Sequence, residues 1–452
     1  MYNIILHNID NEYEYNELIK IFLNPKDYLL NGQIEGCETI DINLSKGKDK
    51  HAIKAEIYET LSEITDLKPA WGTLTGVRPV KLAGEIYDRL KDYAEALEEL
   101  TTKYLLSTEK ATLILDTYLR QQKVFGKPKK NSLGIYIGIP FCPTRCAYCS
   151  FASNQVPEDE IERYLQALYQ EIKYCGKKLR EDSFEIESIY IGGGTPTTLN
   201  SAQLNQLLDL VQSEFDLSHI KEFTVEAGRP DTITREKLQI IKEHNIERIS
   251  INPQSMKDET LELIGRKHRS SQIVEAFELA KEVGIKQVNA DIIAGLPEED
   301  PDDFNDTLTK VIDLNPTNIT VHTLAVKRAS KLHEIDEDYH YRQGKVVSQM
   351  LEISKSLLSK NGYVPYYLYR QKHMSGAYEN IGYCKNNTDC LYNVRIMEEK
   401  QSILALGAGG ISKICFPDEN RHERVPNVTN YQIYIDRLDE MLSRKENNFF
   451  RR

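Results

Sequence analysis

The stretch that decides the fold is residues 133–149, LGIYIGIPFCPTRCAYC. Its first seven residues form a short apolar run, which predicts a buried β-strand. Three cysteines, Cys142, Cys146 and Cys149, follow within eight residues. In α/β proteins, chemically active side chains collect where parallel strands end. The stretch therefore predicts the first strand of a parallel sheet, with a functional loop at its carboxyl end.

The same pattern continues along the chain as an alternation of strands and helices. The predicted strands are residues 133–139, 188–191, 223–226, 248–251, 288–293 and 319–322. The predicted helices are residues 159–178, 202–214, 235–244, 273–283 and 303–314. Such alternation requires right-handed crossovers and a parallel sheet. Six strands are too few for a closed eight-stranded barrel, so a partly open barrel or a doubly wound sheet is expected.

The rest of the chain divides around this α/β unit. Residues 126–132, GKPKKNS, combine Gly, Pro and Lys and predict a solvated linker. We predict an N-terminal α/β accessory domain over residues 1–125, a barrel over 133–330 and an irregular C-terminal substrate or accessory region over 331–452. Within the N-terminal domain, the expected elements are extended segments at 2–9 and 54–58 and helices at 80–100 and 111–122.

Composition excludes several classes of protein. The 452 residues are 40% hydrophobic and 28% charged, which suits a globular chain, and the formal net charge is −12. General nucleic-acid binders and proteins of acidic membrane surfaces are usually basic, so neither partner is expected. No secretory signal and no apolar run of about 20 residues is present, which predicts a cytoplasmic protein without a membrane span. Eight cysteines in such a chain do not indicate disulfides.

The spacing C-x3-C-x2-C allows one loop to wrap three thiolates around an iron–sulfur cluster. A [4Fe–4S] cube has four corners, so three ligands leave one iron open. Zinc is the alternative metal. A closed zinc site takes four protein ligands. No His lies between His51 and His219, so zinc would recruit a distant fourth ligand. Unligated cysteines remain a further alternative.

The motif Cys142-x3-Cys146-x-Tyr148-Cys149, placed after a strand, resembles that of the radical S-adenosylmethionine (SAM) enzymes. Further segments resemble the oxygen-independent coproporphyrinogen III oxidase-like branch of that superfamily, and the resemblance covers roughly residues 133–415. These segments are residues 192–197, 225–227, 248–256, 265–266 and 289–297. The resemblance implies a partial (β/α)6 barrel, a [4Fe–4S] cluster on the three cysteines and SAM on the open iron.

The resemblance also implies cofactor contacts, and it assigns no side chain a catalytic role. The residues implied to contact one SAM are Tyr136, Gly193, Glu226, Arg266, Asp291, Ala325 and Ile411. Those implied to contact the same or a second SAM are Gly194, Thr195 and Gln254. Tyr148 is implied to pack near the adenine. Glu226 also suits a solvated strand end and Arg266 a helix cap, whereas Asp291, placed among Val and Ile, needs a partner if buried.

Residues 70–79 and 365–376 resemble the HemZ-type coproporphyrinogen dehydrogenases. The implied reaction is oxidative decarboxylation of coproporphyrinogen III propionates to vinyl groups in porphyrin and haem biosynthesis. The oxidases of this branch usually carry a His where Gly138 stands, and Gly-Cys-Asn where residues 150–152 read SFA. The His-Asn-x-x-Tyr-Trp motif of haem chaperones is also altered, because residues 379–384 read ENIGYC.

Two alternative functions stay open: a radical SAM enzyme that methylates or opens a tetrapyrrole, and a non-catalytic haem-binding or delivery protein. The resemblance implies a tetrapyrrole substrate and a reduced flavodoxin- or ferredoxin-type electron donor. Four propionates call for cationic anchors and flat packing surfaces. The candidates are Lys327, Arg328, Arg370, Lys372 and His373, with Tyr366, Tyr367 and Tyr369. Cys384 and Cys390 are weak metal candidates, and Cys175 reads as a buried thiol.

Overall fold

The computed structural model describes residues 1–7, 12–43, 49–327, 329–336, 338–371 and 375–451. A small N-terminal unit comes first, and its three strands pair in parallel in the order β2-β1-β3. Its elements are β1 (Tyr2–His7), α1 (Glu12–Phe22), β2 (Tyr28–Leu30), β3 (Glu38–Asn43) and α2 (Lys50–Thr65). Residues 54–58, expected to be extended, lie within α2. Ile57 and Leu61, one turn apart, are both buried, so the apolar spacing there is helical.

Three helices follow, and they pack on the barrel rather than on the N-terminal unit. They are α3 (Pro79–Leu90), α4 (Tyr93–Thr102) and α5 (Thr108–Phe125). The single helix expected over 80–100 is broken at Lys91, which has φ +59°. The apolar core of the N-terminal unit ends at Leu61, and the barrel core begins at Trp71. The domain limit at residue 125 stays a prediction.

The barrel confirms the expected alternation. Its strands are β4 (Ser132–Ile139), β5 (Glu185–Gly193), β6 (Glu222–Glu226), β7 (Arg248–Ser250), β8 (Gln287–Ala294) and β9 (Asn318–Thr323). Its helices are α6 (Glu158–Glu181), α7 (Ser201–Glu214), α8 (Arg235–Glu243), α9 (Asp258–Leu263), α10 (Ser270–Val283) and α11 (Pro301–Asp313). The six strands pair in parallel in chain order, with Tyr136 opposite Tyr190. Their carboxyl ends therefore share one edge, where the loops meet.

The C-terminal part, expected to be irregular, is instead largely regular. Its helices are α12 (Lys331–Ile335), α13 (Tyr339–Arg342), α14 (Gly344–Lys360), α15 (Leu391–Glu398), α16 (Tyr431–Asp436) and α17 (Leu438–Lys445). Its strands are β10 (Val364–Arg370), β11 (Glu379–Cys384), β12 (Ser402–Leu406), β13 (Ile411–Phe416) and β14 (Arg421–Pro426). All five strands join the barrel sheet, whose order over the described residues is β10-β11-β9-β8-β7-β6-β5-β4-β12-β13-β14.

Strand β12 is a seventh parallel strand, since Leu404 pairs with Ile135 of β4. The sequence did not predict this strand, because a single short apolar run carries little periodic signal. The last helix is docked on α6 by an ion pair between Lys445 and Glu171, 2.8 Å apart, in which both side chains are fully buried. No helix in the described part of the chain is long and apolar enough to cross a membrane.

Candidate iron–sulfur and cofactor site

The cysteine loop, residues 140–154, leaves the carboxyl end of β4 and returns to it. The Cys142 N–H donates to the Asn154 carbonyl at 3.0 Å, and the Asn154 N–H donates to the Pro140 carbonyl at 2.9 Å. The Asn154 side-chain amide donates to the same Pro140 oxygen at 2.9 Å. Because these bonds close both ends of the loop, its cysteines are held above the strand ends, where the sequence predicts them.

The middle of the loop is anchored from the barrel and from the C-terminal part of the chain. The Ala147 N–H donates to the carbonyl of Ile264 at 2.9 Å, and the Ala147 carbonyl accepts from the Leu332 N–H at 2.9 Å. A tight turn brings the Cys149 N–H to the Cys146 carbonyl at 3.1 Å. The segment around Cys146 is thus fixed by residues far away in sequence.

The three thiols are partly or fully shielded from water. Cys146 is 8% exposed, and Cys142 and Cys149 are half-buried. Burial raises the pKa of the Cys142 thiol to about 11 and raises that of Cys149 as well. Within the described ranges, no three Cys, His, Asp or Glu side chains converge on a point suited to one metal ion. A cube differs from a single ion because each thiolate binds its own iron, and bound metal deprotonates such thiols.

The glycine segment, residues 192–195, runs directly against the cysteine loop. The Gly194 N–H donates to the Ile139 carbonyl and the Thr195 N–H to the Phe141 carbonyl, both at 2.8 Å. A Cβ on Gly194 would lie 2.5 Å from the Phe141 oxygen, so only glycine allows this approach. The Thr195 hydroxyl lies 3.4 Å from the Cys142 sulfur.

Glu226, at the end of β6, lies beside a stack of tyrosine rings. Tyr190 stacks on Tyr392 with ring centres 4.6 Å apart, and Tyr136 lies 6.4 Å from each of them. The Tyr190 hydroxyl donates to Glu226 at 2.5 Å. Burial raises the pKa of Glu226 to about 7, and the neighbouring Asp291 carboxylate acts in the same direction. Near neutral pH this carboxyl is therefore shared between its acid and carboxylate forms.

Asp291 belongs to a polar wall inside strands β8 and β9. Asn289 donates to it at 2.8 Å, and the His322 Nε2 atom lies 3.6 Å away. The Tyr369 hydroxyl in turn lies 3.3 Å from His322 Nδ1. Burial would raise the pKa of Asp291, but His322 and Asn289 outweigh it and lower the pKa below its usual value. Asp291 is thus ionised while Glu226 is poised near neutrality, a division set by the two environments.

Gln254 and Arg266 are buried with polar atoms left unsatisfied. Gln254 adopts φ +67°, its backbone pairs with Asp291 and Ile293, and its side-chain oxygen has no partner in the described structure. Arg266 is 6% exposed, donates to Asn252 O at 2.5 Å, and has no carboxylate within 4.0 Å among the described residues. A buried cation without a counter-ion is costly. The carboxylate of a bound amino-acid-like cofactor fits this deficit.

The remaining predicted contacts lie at the margins. Tyr148 accepts from Arg266 at 3.3 Å, which places it in the same group. Ala325 follows β9, as expected for a strand-end residue. Ile411 begins β13, two strands away from β4 in the sheet order, and its side chain is 46% exposed. The structure places Tyr136, Gly193, Glu226 and Asp291 on the barrel strands around the barrel interior. The individual SAM contacts stay predictions.

The expected substrate anchors are only partly suitable. Arg370 is buried against Trp71, 5.0 Å from its ring, and donates to Leu74 O and Ala377 O, so it joins two chain segments and is not an exposed anchor. Lys327 is half-buried beside Phe151 and the loop. Tyr366 and Tyr367 are buried, whereas Tyr369 is half-buried. Arg328, Lys372 and His373 lie outside the described residues.

Sequence reasoning missed a buried polar group behind Cys146. Arg229 follows β6, and its Nη1 atom lies 3.8 Å from the Cys146 sulfur. Asp231 accepts two bonds from the same guanidinium at 2.9 and 3.0 Å, and His268 lies 3.7 Å from Asp231. Burial would raise the pKa of Asp231, but His268 and Arg229 lower it well below its usual range. The order Arg229-Pro-Asp231 after a strand end was the one available signal.

Comparison with known proteins agrees with this geometry. A family model, the radical SAM superfamily, matches residues 136–311. The oxygen-independent coproporphyrinogen-III oxidase-like protein HemZ of Bacillus subtilis is 38% identical over 401 residues, 88% of this chain and 80% of that protein. The heme chaperone HemW of B. subtilis is 32% identical over 308 residues, 68% of this chain and 76% of that protein.

Among solved structures, coproporphyrinogen III oxidase (HemN) from Escherichia coli superposes with a TM-score of 0.54 at 24% identity, covering 71% of this chain and 72% of that one. That likeness supports the α/β fold with its parallel sheet. The HemZ match extends over most of both chains. The chain therefore belongs to the radical SAM superfamily, in the branch of oxygen-independent coproporphyrinogen-III oxidase-like proteins that includes HemZ.

Proposed function

We propose that this protein catalyses the oxygen-independent oxidative decarboxylation of coproporphyrinogen III propionates to vinyl groups. The observation that carries the proposal is the cysteine loop, which is hydrogen-bonded to the glycine segment. The same loop contacts the buried Arg266 through Tyr148, and Arg266 has no carboxylate partner among the described residues. Similarity to HemZ, an oxygen-independent coproporphyrinogen-III oxidase-like protein, supports the choice of substrate.

The residues present fit the cofactors that the family implies. Cys142, Cys146 and Cys149 would bind the [4Fe–4S] cluster, and Arg266 would pair with the carboxylate of SAM. Glu226 and Asp291 offer acceptors to its ammonium group or ribose hydroxyls. When bound, the reduced cluster and SAM supply a carbon radical that removes a hydrogen atom from a substrate carbon. We propose that one SAM binds at this site. Contacts of Gly194, Thr195 and Gln254 with the same or a second SAM stay a prediction.

The chain's own side chains would prepare the reaction space. The tyrosine stack at Tyr136, Tyr190 and Tyr392 would offer flat ring surface inside the barrel. The Asp291 carboxylate, held by Asn289, presents a fixed negative charge toward cationic groups of a cofactor. Among the predicted cationic anchors that the structure describes, Lys327 lies beside the loop and would pair with a propionate. Burial lowers the pKa of Lys327.

The proposed conversion is balanced for one propionate as follows. Its β-carbon loses a hydrogen atom, the carboxylate leaves as carbon dioxide, and one electron passes to an acceptor as the vinyl double bond forms. A reduced flavodoxin- or ferredoxin-type protein is proposed as the donor of the electron that starts the reaction. No residue of the chain is required to form a covalent bond to the tetrapyrrole.

The test is an anaerobic assay with coproporphyrinogen III, SAM and a reductant, followed by mass spectrometry of the porphyrins and of 5′-deoxyadenosine. Wild type and Cys175→Ala should form vinyl product and deoxyadenosine, because Cys175 is buried in α6, away from the loop. Cys146→Ala should form neither. Deoxyadenosine without a vinyl product would reject the substrate, and a mass gain of a methyl group would indicate a tetrapyrrole methylase instead.

Haem delivery is the second candidate, favoured by the 32% identity to a heme chaperone that matches 68% of this chain. In this chain, the segment that replaces the chaperone motif, residues 379–384, is buried in strand β11. Its Glu379 accepts hydrogen bonds from Trp71 and Lys110. Stoichiometric haem binding by the anaerobic holoprotein, with no deoxyadenosine formed in the same assay, would favour delivery over catalysis.

A further inference from the structure

A second layer of buried polar residues lies behind the cysteine loop, on the side of Cys146. Arg229 is 3% exposed, and its Nη1 atom lies 2.9 Å from the Thr144 hydroxyl and 3.8 Å from the Cys146 sulfur. The Thr144 hydroxyl donates to the Gly265 carbonyl at 3.0 Å, so toward Arg229 it acts as an acceptor. The guanidinium therefore directs its donors at two atoms of the loop, one of them a candidate cluster ligand.

The orientation of this guanidinium is held from behind. Asp231 accepts from Nε at 3.0 Å and from Nη2 at 2.9 Å, a two-point clamp that fixes the plane of the group. His268 is buried and packs 3.7 Å behind Asp231. The pair is neutral as a whole, but its positive end faces the sulfur and its negative end faces away. Such fixed donors at a metal ligand tune the metal site.

We propose that Arg229, clamped by Asp231, is a positioning residue that donates a hydrogen bond to the Cys146 thiolate and raises the reduction potential of the cluster. Reduction adds one negative charge to the cluster, and hydrogen bonds to the ligand sulfurs together with nearby positive charge favour that state. The inference rests on the proposed function, since it requires a [4Fe–4S] cluster on the cysteine loop.

The charge pattern explains why a buried Arg–Asp pair is placed here. Burying two charges costs free energy unless the geometry is good and the remaining donors are satisfied. Asp231 accepts from Nε and Nη2, and Thr144 and Cys146 both face the two N–H groups of Nη1. A purely structural clamp would be completed by Thr144 alone. The approach to Cys146 directs positive charge at the most buried of the three cysteines, which is 8% exposed.

The test is a redox titration of the reconstituted holoprotein, monitored anaerobically by electron paramagnetic resonance in the absence of SAM. Arg229→Gln should make the reduced cluster at least tenfold less favoured, a downward change in midpoint potential of about 59 mV for a one-electron couple. Arg229→Lys keeps the charge but loses the planar clamp, so its midpoint potential should lie between those of the wild type and Arg229→Gln. Asp231→Asn removes a negative charge but keeps an acceptor, so it should move the potential upward.

Arg235→Gln is the matched control, because this arginine is exposed on α8 and pairs with Glu282 on the outside of the barrel. It should titrate as wild type. The opposite directions expected for Arg229→Gln and Asp231→Asn separate electrostatic tuning from simple loosening, which would move both variants the same way. If Arg229→Gln assembles no cluster, Arg229→Lys and Asp231→Asn carry the same comparison.

The inference is overturned if Arg229→Gln holds a full cluster at the wild-type potential, or if the Arg229 and Asp231 variants shift in the same direction. In either case, SAM cleavage by the wild type would leave the proposed function standing. If the wild type itself assembles no cluster under anaerobic reconstitution, both the inference and the proposed function fail. Iron and sulfide content, measured for every variant, distinguishes these outcomes.

Discussion

Glu226→Gln tests the electrostatics of the barrel interior without requiring any cofactor. The substitution keeps the shape of the side chain and an oxygen that accepts from Tyr190, and it removes the ability to ionise. Burial, assisted by the Asp291 carboxylate, raises the pKa of Glu226 from 4.5 to about 7. The Tyr190 hydroxyl, the backbone N–H of Gly193 and His322 act in the opposite direction and reduce that change without cancelling it.

The sign of the effect follows from the proton balance between the folded and unfolded states. Well below pH 4.5 the carboxyl is neutral in both states and contributes nothing. Between pH 4.5 and about 7 the unfolded chain releases the proton while the folded chain retains it, so stability falls as the pH rises. With 1.36 kcal/mol for each pKa unit, the cost reaches about 3 kcal/mol at pH 8 and is under about 1 kcal/mol at pH 5. Glutamine removes this cost.

The measurement is urea unfolding of the metal-free protein at pH 5 and pH 8, with the wild type and Glu226→Gln side by side. The variant should be more stable by about 3 kcal/mol at pH 8 and nearly equal at pH 5. Glu259→Gln, on the exposed side of α9, is the control and should show no such pH dependence. Equal stability differences at both pH values, or a less stable variant at pH 8, would refute the reasoning.

Three further outcomes are expected. Gly194→Ala should lower iron content after reconstitution, because its Cβ would meet the Phe141 carbonyl at 2.5 Å and overpacking costs about 1–3 kcal/mol; Gly76→Ala, whose Cβ meets only a leucine side chain at 3.6 Å, should retain full iron. Lys445→Met should lower the free energy of unfolding by about 3–5 kcal/mol by stranding its buried carboxylate partner, whereas Lys310→Met, at an exposed pair, should cost less than about 1 kcal/mol by the same urea titration. Cys175→Ala should bind as much iron as the wild type, and a loss of iron there would contradict the three-ligand assignment.

Much of the barrel was predictable because its signals are local. Strands buried on both faces read as short runs such as IYIGI in residues 135–139, and each crossover helix carries its own amphipathic period. The six strands and five of the six helices of the barrel begin and end within a few residues of the expected positions, whereas the short helix α9 was not predicted. The cysteine loop was predictable for the same reason, since all three thiols lie on one contiguous segment.

The C-terminal strands and the network around the site were not predictable in this way. β12 pairs with β4, which lies far from it in sequence, and no local feature of residues 402–406 predicts that partner. The contact between Arg229 and Cys146 likewise joins two loops that follow different strands. Sequence periodicity indicates which face of an element is buried, but the neighbour that buries it depends on the order and register of the strands.

The amino-acid sequence by itself determined the alternation of parallel strands and helices, the three-thiol loop, and the strands β6 and β8 that carry Glu226 and Asp291. Only the tertiary structure decided that Glu226 is poised near neutrality while Asp291 stays ionised, and that a clamped guanidinium faces Cys146. The physical reason is that charge states depend on burial and on neighbours brought together by folding, which residue type and spacing do not specify.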